Sequence, residues 1–314
     1  MKEIMIKAYG KINLSLDVLG VMDNGFHQVD MVMHMVDLHD DVFVKWEEKN
    51  AGGLEIMLDP GRQDLPADEN NLAYKAAVSV KEKYRPSISG TLKIRIEKRI
   101  PVAAGLAGGS GNGAAVLVAL NRLWDLGLSV EELCSIGAEL GADMAFSVMG
   151  TAKMNENSGL SGDPMASTCA RATGTGTDLE PLPAYPAGVV LSKPNISVST
   201  KTVYEGIDKV HIAEHPDIDE QVQGIKEKDW GKIKRNMINV LENHTLKRYD
   251  IVVYTKNNMQ NACSKGAVLM SGSGPTVFAL FHDRAEQEEV YMKMKRINEE
   301  TYNIETVNGE KNNA

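Results

Sequence analysis

The stretch from Pro101 to Ala115 has the composition best suited to binding a charged ligand. Five of its positions from 105 to 113 are glycine, at 105, 108, 109, 111 and 113. Glycines permit positive φ angles and remove side chains that would keep a phosphate away from backbone N–H groups. Ser110 adds a hydroxyl that can bind a phosphate oxygen or a magnesium ion. The stretch is therefore a candidate phosphate-binding loop.

The segments on either side of this loop set its position. Thr91–Ile100 alternates apolar and charged residues, which predicts a strand, and Ala114–Leu126 is rich in Ala, Leu and Val, which predicts a buried helix. In a strand, glycine-rich loop and helix, free N–H groups and the helix dipole converge on an anion. A long loop that only caps the helix is the alternative.

Two common phosphate-binding motifs do not explain this stretch. A Walker A loop requires a lysine after its last glycine, and no lysine follows any glycine between positions 101 and 115. The run that starts at Gly109 matches Gly-x-Gly-x-x-Gly/Ala, but it begins about ten residues after the strand. No acidic residue ends a second strand at the distance that a ribose contact requires, so the dinucleotide match is interpreted as accidental.

Two further segments carry charged or amide side chains that could act in catalysis. From Lys11 the chain alternates polar and apolar residues, so Lys11 and Asn13 are predicted to share one strand face. A solvated strand face is the usual explanation of such a pattern. Asp143 follows a predicted helix end at Gly141, and a carboxylate in that position commonly bonds local backbone amides.

Aromatic and small residues mark two turns. Asn24-Gly25 predicts a turn, followed by Phe26 and His27, which are either a core residue and a surface residue or an aromatic platform beside a planar ligand. Ser271–Pro275 joins two apolar segments and predicts a hairpin with a glycine-rich tip. That tip is either only a tight turn or a second place where a phosphate or sugar can approach closely.

Composition limits the classes of function. The chain has 43% hydrophobic and 25% charged residues, which is typical of a globular protein, and contains no apolar run long enough for a membrane span. A net charge of −9 argues against nucleic acid as a partner. Three widely spaced cysteines, at 134, 169 and 263, form no disulfide framework, so we expect a cytoplasmic protein.

Three motifs, in chain order, resemble the signature motifs of the GHMP small-molecule kinases: Lys11-Ile-Asn-Leu, Pro101–Ala115 and Met270-Ser-Gly-Ser-Gly-Pro-Thr-Val. The resemblance implies a two-lobed α+β fold, with a ribosomal S5 domain 2-like N-terminal lobe and a ferredoxin-like C-terminal lobe. We expect the lobes at residues 1–186 and 187–314, with ATP and substrate bound between them. A monomer or a homodimer is expected.

Further motifs narrow the resemblance to family members that act on a cytidine-diphosphate-linked methylerythritol. They are Asn24-Gly-Phe-His, Asp68-Glu-Asn-Asn-Leu, Lys98-Arg-Ile-Pro-Val, Leu140-Gly-Ala-Asp and Ser197-Val-Ser-Thr-Lys-Thr-Val-Tyr. The implied activity is ATP-dependent phosphorylation of the substrate's 2-hydroxyl in non-mevalonate isoprenoid biosynthesis. The alternatives are a kinase of another small alcohol, such as homoserine or a mevalonate-like compound, and a non-catalytic binding protein of the same family.

The resemblance also implies roles for individual residues. Asp143 is the expected base and Lys11 its cationic partner, and Ser110 is the expected ligand of Mg²⁺. The cytidine ring is expected between Phe26 and Tyr204, with His27 on its edge, and the remaining substrate contacts at Asn13, Ser271 and Gly272. ATP is expected to contact Asn70, Lys98 and the loop residues Pro101, Val102, Ala103, Ala104, Gly105, Leu106, Ala107, Gly108, Gly109, Ser110 and Gly111.

Three features depart from the family pattern. Gly111 stands where a second serine is usual, and Met144-Ala145 replaces the usual Val-Pro after the expected base. Residues 153–170 are rich in small and polar residues without periodicity, which predicts an inserted, mobile surface loop. All the glycines of the loop, together with Lys11, Ser110 and Asp143, are present, so we expect an active enzyme.

Overall fold

The computed structural model describes residues 1–23 and 25–309, which form ten α-helices and two β-sheets. This confirms the expected α+β class. The residues divide into two compact units: Met1–Gly10, Leu38–Ile100 and Ala107–Thr168 form the first, and Lys11–Asp37, Pro101–Leu106 and the described residues from Cys169 onward form the second. Lobe boundaries at residues 186 and 187 stay a prediction. Asn24, which was expected in the turn before Phe26, lies outside the described residues.

The described residues contain ten strands and ten α-helices. The strands are β1 Lys2–Val21, β2 His27–Glu48, β3 Leu54–Asp59, β4 Gly90–Glu97, β5 Cys169–Thr173, β6 Asp178–Leu182, β7 Gly188–Lys193, β8 Ala267–Met270, β9 Val277–Phe281 and β10 Glu300–Glu305. The helices are α1 Leu72–Tyr84, α2 Gly108–Leu123, α3 Val130–Leu140, α4 Met144–Met154, α5 Thr200–Ile207, α6 Ile218–Glu227, α7 Trp230–Arg235, α8 Glu242–Arg248, α9 Asp250–Ala262 and α10 Arg284–Met294. A short 3₁₀ helix covers Glu156–Ser158.

In the first unit, α2 forms the centre of a helical layer. Twelve of its sixteen residues are buried, and it packs against α1, α3 and α4. Such all-round burial is typical of a core helix. The second half of β2 pairs antiparallel with β4, and β4 pairs parallel with β3. A capping box at Ser129 and Glu132 starts α3. Gly141 ends it, which confirms the predicted helix end.

In the second unit, the first half of β2 pairs antiparallel with β5, which pairs with β6. An antiparallel sheet with strand order β10-β7-β9-β8 packs against α9 and α10, and every residue of β9 is buried. The predicted hairpin at 271–275 is confirmed, because β8 and β9 flank it. Among the described residues, no helix is long and apolar enough to span a bilayer.

The expected loop at 153–170 is wrong at both ends. Lys153 and Met154 belong to α4, and β5 begins at Cys169. Between them, buried Asn155 bonds the backbone of Lys7 on β1 through both of its amide atoms, at 2.9 and 3.0 Å. Asn155, Ser158 and Thr168 are buried, and the segment up to Thr168 belongs to the first unit.

Candidate functional site

Helix α2 begins six residues earlier than the sequence predicted, so Gly109, Ser110 and Gly111 lie in its first turn. The residue before the helix, Ala107, has a left-handed φ of 56° and provides no side-chain hydrogen bond to cap it. First-turn N–H groups lack intrahelical partners, and the dipole places positive partial charge there. This end of α2 can therefore bind a phosphate through backbone N–H groups.

The glycines of α2 provide space rather than unusual backbone angles. A Cβ at Gly109 would have no heavy atom within 4 Å, so this position faces open space. A Cβ at Gly111 would lie 3.3 Å from the carbonyl oxygen of Tyr9, and one at Gly113 would lie 2.9 Å from Cε of Met144. Gly109 leaves room for a ligand, whereas Gly111 and Gly113 allow close packing inside the unit. A serine at position 111 would require the Tyr9 carbonyl to move by a few tenths of an ångström.

Lys98 places an ammonium group beside the first turn of α2. A Cβ at Gly108 would lie 3.4 Å from its Nζ. The same Nζ donates to the carboxylate of Asp40 and, at 3.0 Å, to Oδ1 of Asn112. The side chain of Lys98 is 7% exposed and that of Asp40 is fully buried. This fixed positive charge strengthens the attraction of the helix end for an anion.

Asn70 lies in the turn before α1. Its backbone N–H and its side-chain amide both donate to Oδ1 of Asp68, at 3.0 Å each. The cap of α1 is Asn71, whose side chain accepts from the N–H of Ala73. Asp68 therefore holds the turn before the helix and does not cap it. Within the described part of the chain, Asn70 does not bond to another predicted site residue.

Asp143 occupies the N-cap position of α4, but its side chain makes no capping hydrogen bond. Its backbone carbonyl accepts from the N–H and the hydroxyl of Ser147, at 3.0 and 2.8 Å. Met144 and Ala145 are both fully buried. The two residues that depart from the family pattern therefore anchor α4 directly after Asp143, whose carboxylate does not cap the helix.

In the second unit, Lys11 and Asn13 lie side by side on β1, as the alternation predicted. The Nζ of Lys11 donates to Oδ1 of Asn13 at 2.8 Å. A solvated face is the wrong explanation, because Lys11 is 4% exposed and Asn13 is fully buried. A Cβ at Gly272 would lie 3.7 Å from that Nζ and 3.6 Å from that Oδ1. The structure thus brings together three predicted site residues.

The segment Pro101–Leu106 is held at two points in this unit. The N–H of Lys11 donates to the carbonyl of Leu106 at 3.1 Å, and the Ser271 hydroxyl donates to that of Gly105 at 3.0 Å. Gly105 has a φ of 74°, and a Cβ there would lie 2.4 Å from the carbonyl oxygen of Ser271. Of the five loop glycines, only Gly105 has the expected positive φ.

Asn239 fixes the hairpin tip and was not identified from the sequence. Its Nδ2 donates to the carbonyl oxygens of Met270 and Gly272, at 2.8 Å each, and its Oδ1 accepts from the N–H of Leu241. The side chain is 2% exposed. One amide therefore sets the position of the tip that lies against Lys11 and Asn13. No local motif around position 239 indicated this role, because its partners lie about thirty residues away.

His27 and Tyr204 lie together, with ring centroids 5.0 Å apart and planes tilted by 47°. Nε2 of His27 lies 2.8 Å from Oδ1 of Asp208, a second residue that the sequence did not indicate. Asp208 follows Tyr204 by one helical turn, so the placement of one on α5 also places the other. Phe26 is 64% exposed. The exposed Phe26 ring and the paired His27 ring are suited to contact a planar ligand.

Magnesium in kinases is usually held by one or two protein oxygens together with substrate phosphates and water. Among the described residues, no group of three His, Cys, Asp or Glu side chains is arranged to hold a metal ion. The Ser110 hydroxyl in the first turn of α2 is a hard oxygen of the kind that magnesium prefers. One serine hydroxyl, with no cluster of metal-binding side chains in the described part of the chain, fits a magnesium ion that is bound chiefly through the phosphates of ATP.

Comparison with known proteins identifies the family. Residues 71–151 match the GHMP kinases N terminal domain and residues 221–299 the GHMP kinases C terminal domain. The chain is 43% identical to 4-diphosphocytidyl-2-C-methyl-D-erythritol kinase of Geobacillus kaustophilus over 92% of its length and 91% of the relative's. It is 40% identical to the same kinase of Listeria monocytogenes over 96% of both chains.

Solved structures show the same fold. A crystal structure of 4-(cytidine 5'-diphospho)-2C-methyl-D-erythritol kinase superposes with a TM-score of 0.74 at 23% identity, covering 96% of this chain and 99% of that one. Homoserine kinase from Cytophaga hutchinsonii superposes with a TM-score of 0.71 at 20% identity, covering 94% and 90%. The chain therefore belongs to the GHMP kinases and, within them, to the family of the 4-diphosphocytidyl-2-C-methyl-D-erythritol kinases.

Proposed function

We propose that the protein transfers the γ-phosphoryl group of ATP to the 2-hydroxyl of 4-diphosphocytidyl-2-C-methyl-D-erythritol. The observation that carries this proposal is about 40% identity to kinases of that name over nearly the whole chain. The first turn of α2 supports it chemically, because open Gly109 and the Lys98 ammonium group suit a nucleotide phosphate. We place the reaction in the cytoplasm on the basis of the sparse cysteines.

Phosphoryl transfer requires phosphate positioning, charge neutralisation and removal of the acceptor's proton. The proton of the 2-hydroxyl passes to the carboxylate of Asp143 as the oxygen attacks the γ-phosphorus. The bond between that phosphorus and the β,γ-bridging oxygen breaks, which releases ADP. Lys11, held in place by Asn13, contributes positive charge toward the developing alkoxide. A magnesium ion bound to ATP and Ser110 would neutralise negative charge on the phosphates.

Substrate binding is assigned to the second unit's predicted residues. Phe26 and Tyr204 stack on the cytosine ring, an interaction worth about 1–3 kcal/mol per base. His27 contacts the edge of the ring, and Ser271 and Gly272 lie along the hairpin tip beside Asn13. The remaining loop residues, Pro101 to Leu106, contact ATP.

A panel of alcohols tests this function. Purified protein is mixed with ATP, magnesium and one alcohol, and ADP release is followed with each of 4-diphosphocytidyl-2-C-methyl-D-erythritol, homoserine and mevalonate. We expect turnover with the first compound and a ³¹P signal for a new phosphomonoester on its 2-oxygen. Faster turnover of homoserine or mevalonate would favour the alternative kinase. ATP binding without turnover of any alcohol would favour a non-catalytic protein.

A further inference from the structure

We infer that Asp40 is a positioning residue for the nucleotide, because its buried carboxylate holds the Lys98 ammonium group at the first turn of α2. Asp40 contacts no reacting atom and acts through Lys98 and the helix. The inference rests on the proposed function in one respect, which is that α2 and Lys98 bind ATP. It adds a residue that neither the sequence motifs nor the family resemblance indicated.

The carboxylate of Asp40 collects four donors. Oδ1 accepts from the backbone N–H groups of Arg99 and Ile100, at 2.6 and 2.9 Å. Oδ2 accepts from the ammonium group of Lys98 and, at 2.8 Å, from the amide of Asn112 on α2. One fully buried side chain therefore joins the segment after β4 to the beginning of α2.

Asp40 is what allows an ammonium group to be held at the N-terminus of α2. An ammonium group near a helix N-terminus meets the positive end of the dipole, which is unfavourable without a counter-charge. The side chain of Lys98 is also almost buried, so the negative charge of Asp40 is needed to compensate its positive charge. A buried ion pair contributes little net stability compared with apolar residues of similar size. What the pair does provide is a cation fixed beside N–H groups that can bind phosphate.

The first test replaces Asp40 by asparagine, which keeps the shape and removes the charge. We expect the Kd for ATP and the KM for ATP to rise about tenfold, since one charge-assisted contact is lost. The KM for the alcohol substrate is expected to change by less than about twofold. Equal changes in both KM values, or no change in the Kd for ATP, would overturn the inference.

Asp41→Asn is the matched control. It removes the same charge from the next position of β2. The Asp41 carboxylate pairs with Arg99 at 2.6 Å and is not among the described hydrogen-bond partners of Lys98. We expect its Kd for ATP to stay within about twofold of the wild type. A tenfold rise in this control as well would show that the overall charge of the region matters and not the Asp40 contact.

A double-mutant cycle tests whether Asp40 acts through Lys98. We expect the double variant Asp40→Asn/Lys98→Met to have the same Kd for ATP as Lys98→Met alone. If the two residues acted independently, the fold-increases in Kd of the single variants would multiply. If Asp40→Asn does not fold, Asn112→Ala keeps the Asp40–Lys98 pair and removes the bond from α2. We expect it to raise the Kd about threefold, and an unchanged value would contradict the inference. A wild type that binds ATP without phosphorylating an alcohol would refute the proposed function alone.

Discussion

Gly272 lies beside the ammonium group of Lys11: a Cβ at this position would be 3.7 Å from Nζ, in ordinary van der Waals contact. Its φ of +56° lies in the left-handed region, and Asn239 holds its carbonyl at 2.8 Å. The hairpin tip and the polar face of β1 are therefore fitted to each other. This arrangement also fixes the Lys11 ammonium group, which already donates to Asn13.

Gly272→Ala is expected to lower both stability and activity. Alanine in the left-handed region costs about 1–2 kcal/mol. Its Cβ would touch the Lys11–Asn13 pair, at 3.7 and 3.6 Å, so a shift of the strained tip would displace this pair. We expect kcat to fall at least about tenfold, measured by ADP release. Gly127→Ala is the control, since Gly127 has a φ of 69° and a Cβ there meets nothing within 4 Å. A loss of kcat in both variants would mean that backbone strain, and not the position of Lys11, is responsible.

Two glycines of α2 are expected to respond to alanine in opposite ways. Gly109→Ala places a Cβ in open space, so stability stays unchanged or rises, while the KM for ATP rises at least about tenfold because the phosphate approach is blocked. Gly113→Ala places a Cβ 2.9 Å from Cε of Met144 and 3.2 Å from the carbonyl oxygen of Leu72. We expect it to lose about 1–3 kcal/mol of unfolding free energy. Urea denaturation and ATP titration of both variants check this, and a Gly109→Ala enzyme with wild-type KM would contradict it.

Features of this site that depend on neighbouring residues in the chain could be predicted from the sequence. Features that depend on contacts between distant residues could not. The strand that carries Lys11 and Asn13, the end of α3 at Gly141 and the hairpin at 271–275 are set by local patterns, and all were predicted. The start of α2 was placed six residues too late, because glycine has a low helix propensity. Only the close neighbours of Gly111 and Gly113 reveal why glycine is kept inside that helix.

The residues that the sequence missed act over long range. Asp40 looks like a charged residue in an alternating strand, yet its partners lie near positions 98 and 112. Asp208 looks like a helix-end residue, yet it pairs with His27. Taken alone, the alternation of β1 was best explained by a solvated face, because periodicity does not show that another part of the chain covers it. These contacts are set by tertiary packing, which one sequence does not display.

Asp208→Asn is expected to relax the choice of base. Nε2 of His27 lies 2.8 Å from the Asp208 carboxylate. When that contact holds the ring's single proton on Nε2, Nδ1 keeps a lone pair, which suits the 4-amino group of cytosine and opposes the O4 of uracil. An asparagine amide can donate to Nε2 and so move the ring proton to Nδ1. We expect the preference in kcat/KM for the cytidine substrate over its uridine analogue to fall about tenfold.

Glu205→Gln is the control for that experiment. It removes a negative charge three residues before Asp208, but Glu205 pairs with Lys201 on the exposed side of α5. Its base preference is expected to match that of the wild type. An unchanged preference in Asp208→Asn would show that the Asp208 contact does not set the proton position of His27.

Acid is expected to destabilise the protein through His34. Burial lowers the pKa of His34 to about 4, and the neutral ring donates from Nδ1 to the Met35 carbonyl and accepts at Nε2 from the N–H of Tyr185. The folded state therefore binds this proton less readily than the unfolded state, whose pKa is near 6.5. The stabilisation is complete above pH 6.5 and is lost between pH 6.5 and 4.

Urea denaturation of the wild type and of His34→Gln measures this contribution. From pH 7 to pH 5 the unfolding free energy of the wild type is expected to fall by about 2 kcal/mol more than that of the variant. Glutamine does not titrate in this range, so the variant serves as the baseline. Parallel curves for the two proteins would show that His34 does not carry the pH dependence.

The most direct test of the account is the effect of Asp143→Asn on phosphoryl transfer from ATP to 4-diphosphocytidyl-2-C-methyl-D-erythritol. A general base typically contributes 10²- to 10⁴-fold to the rate, so we expect kcat to fall about 10³-fold. The Kd for ATP and the unfolding free energy are expected to stay close to those of the wild type. A kcat within about threefold of the wild-type value would contradict the assignment of Asp143 as the base.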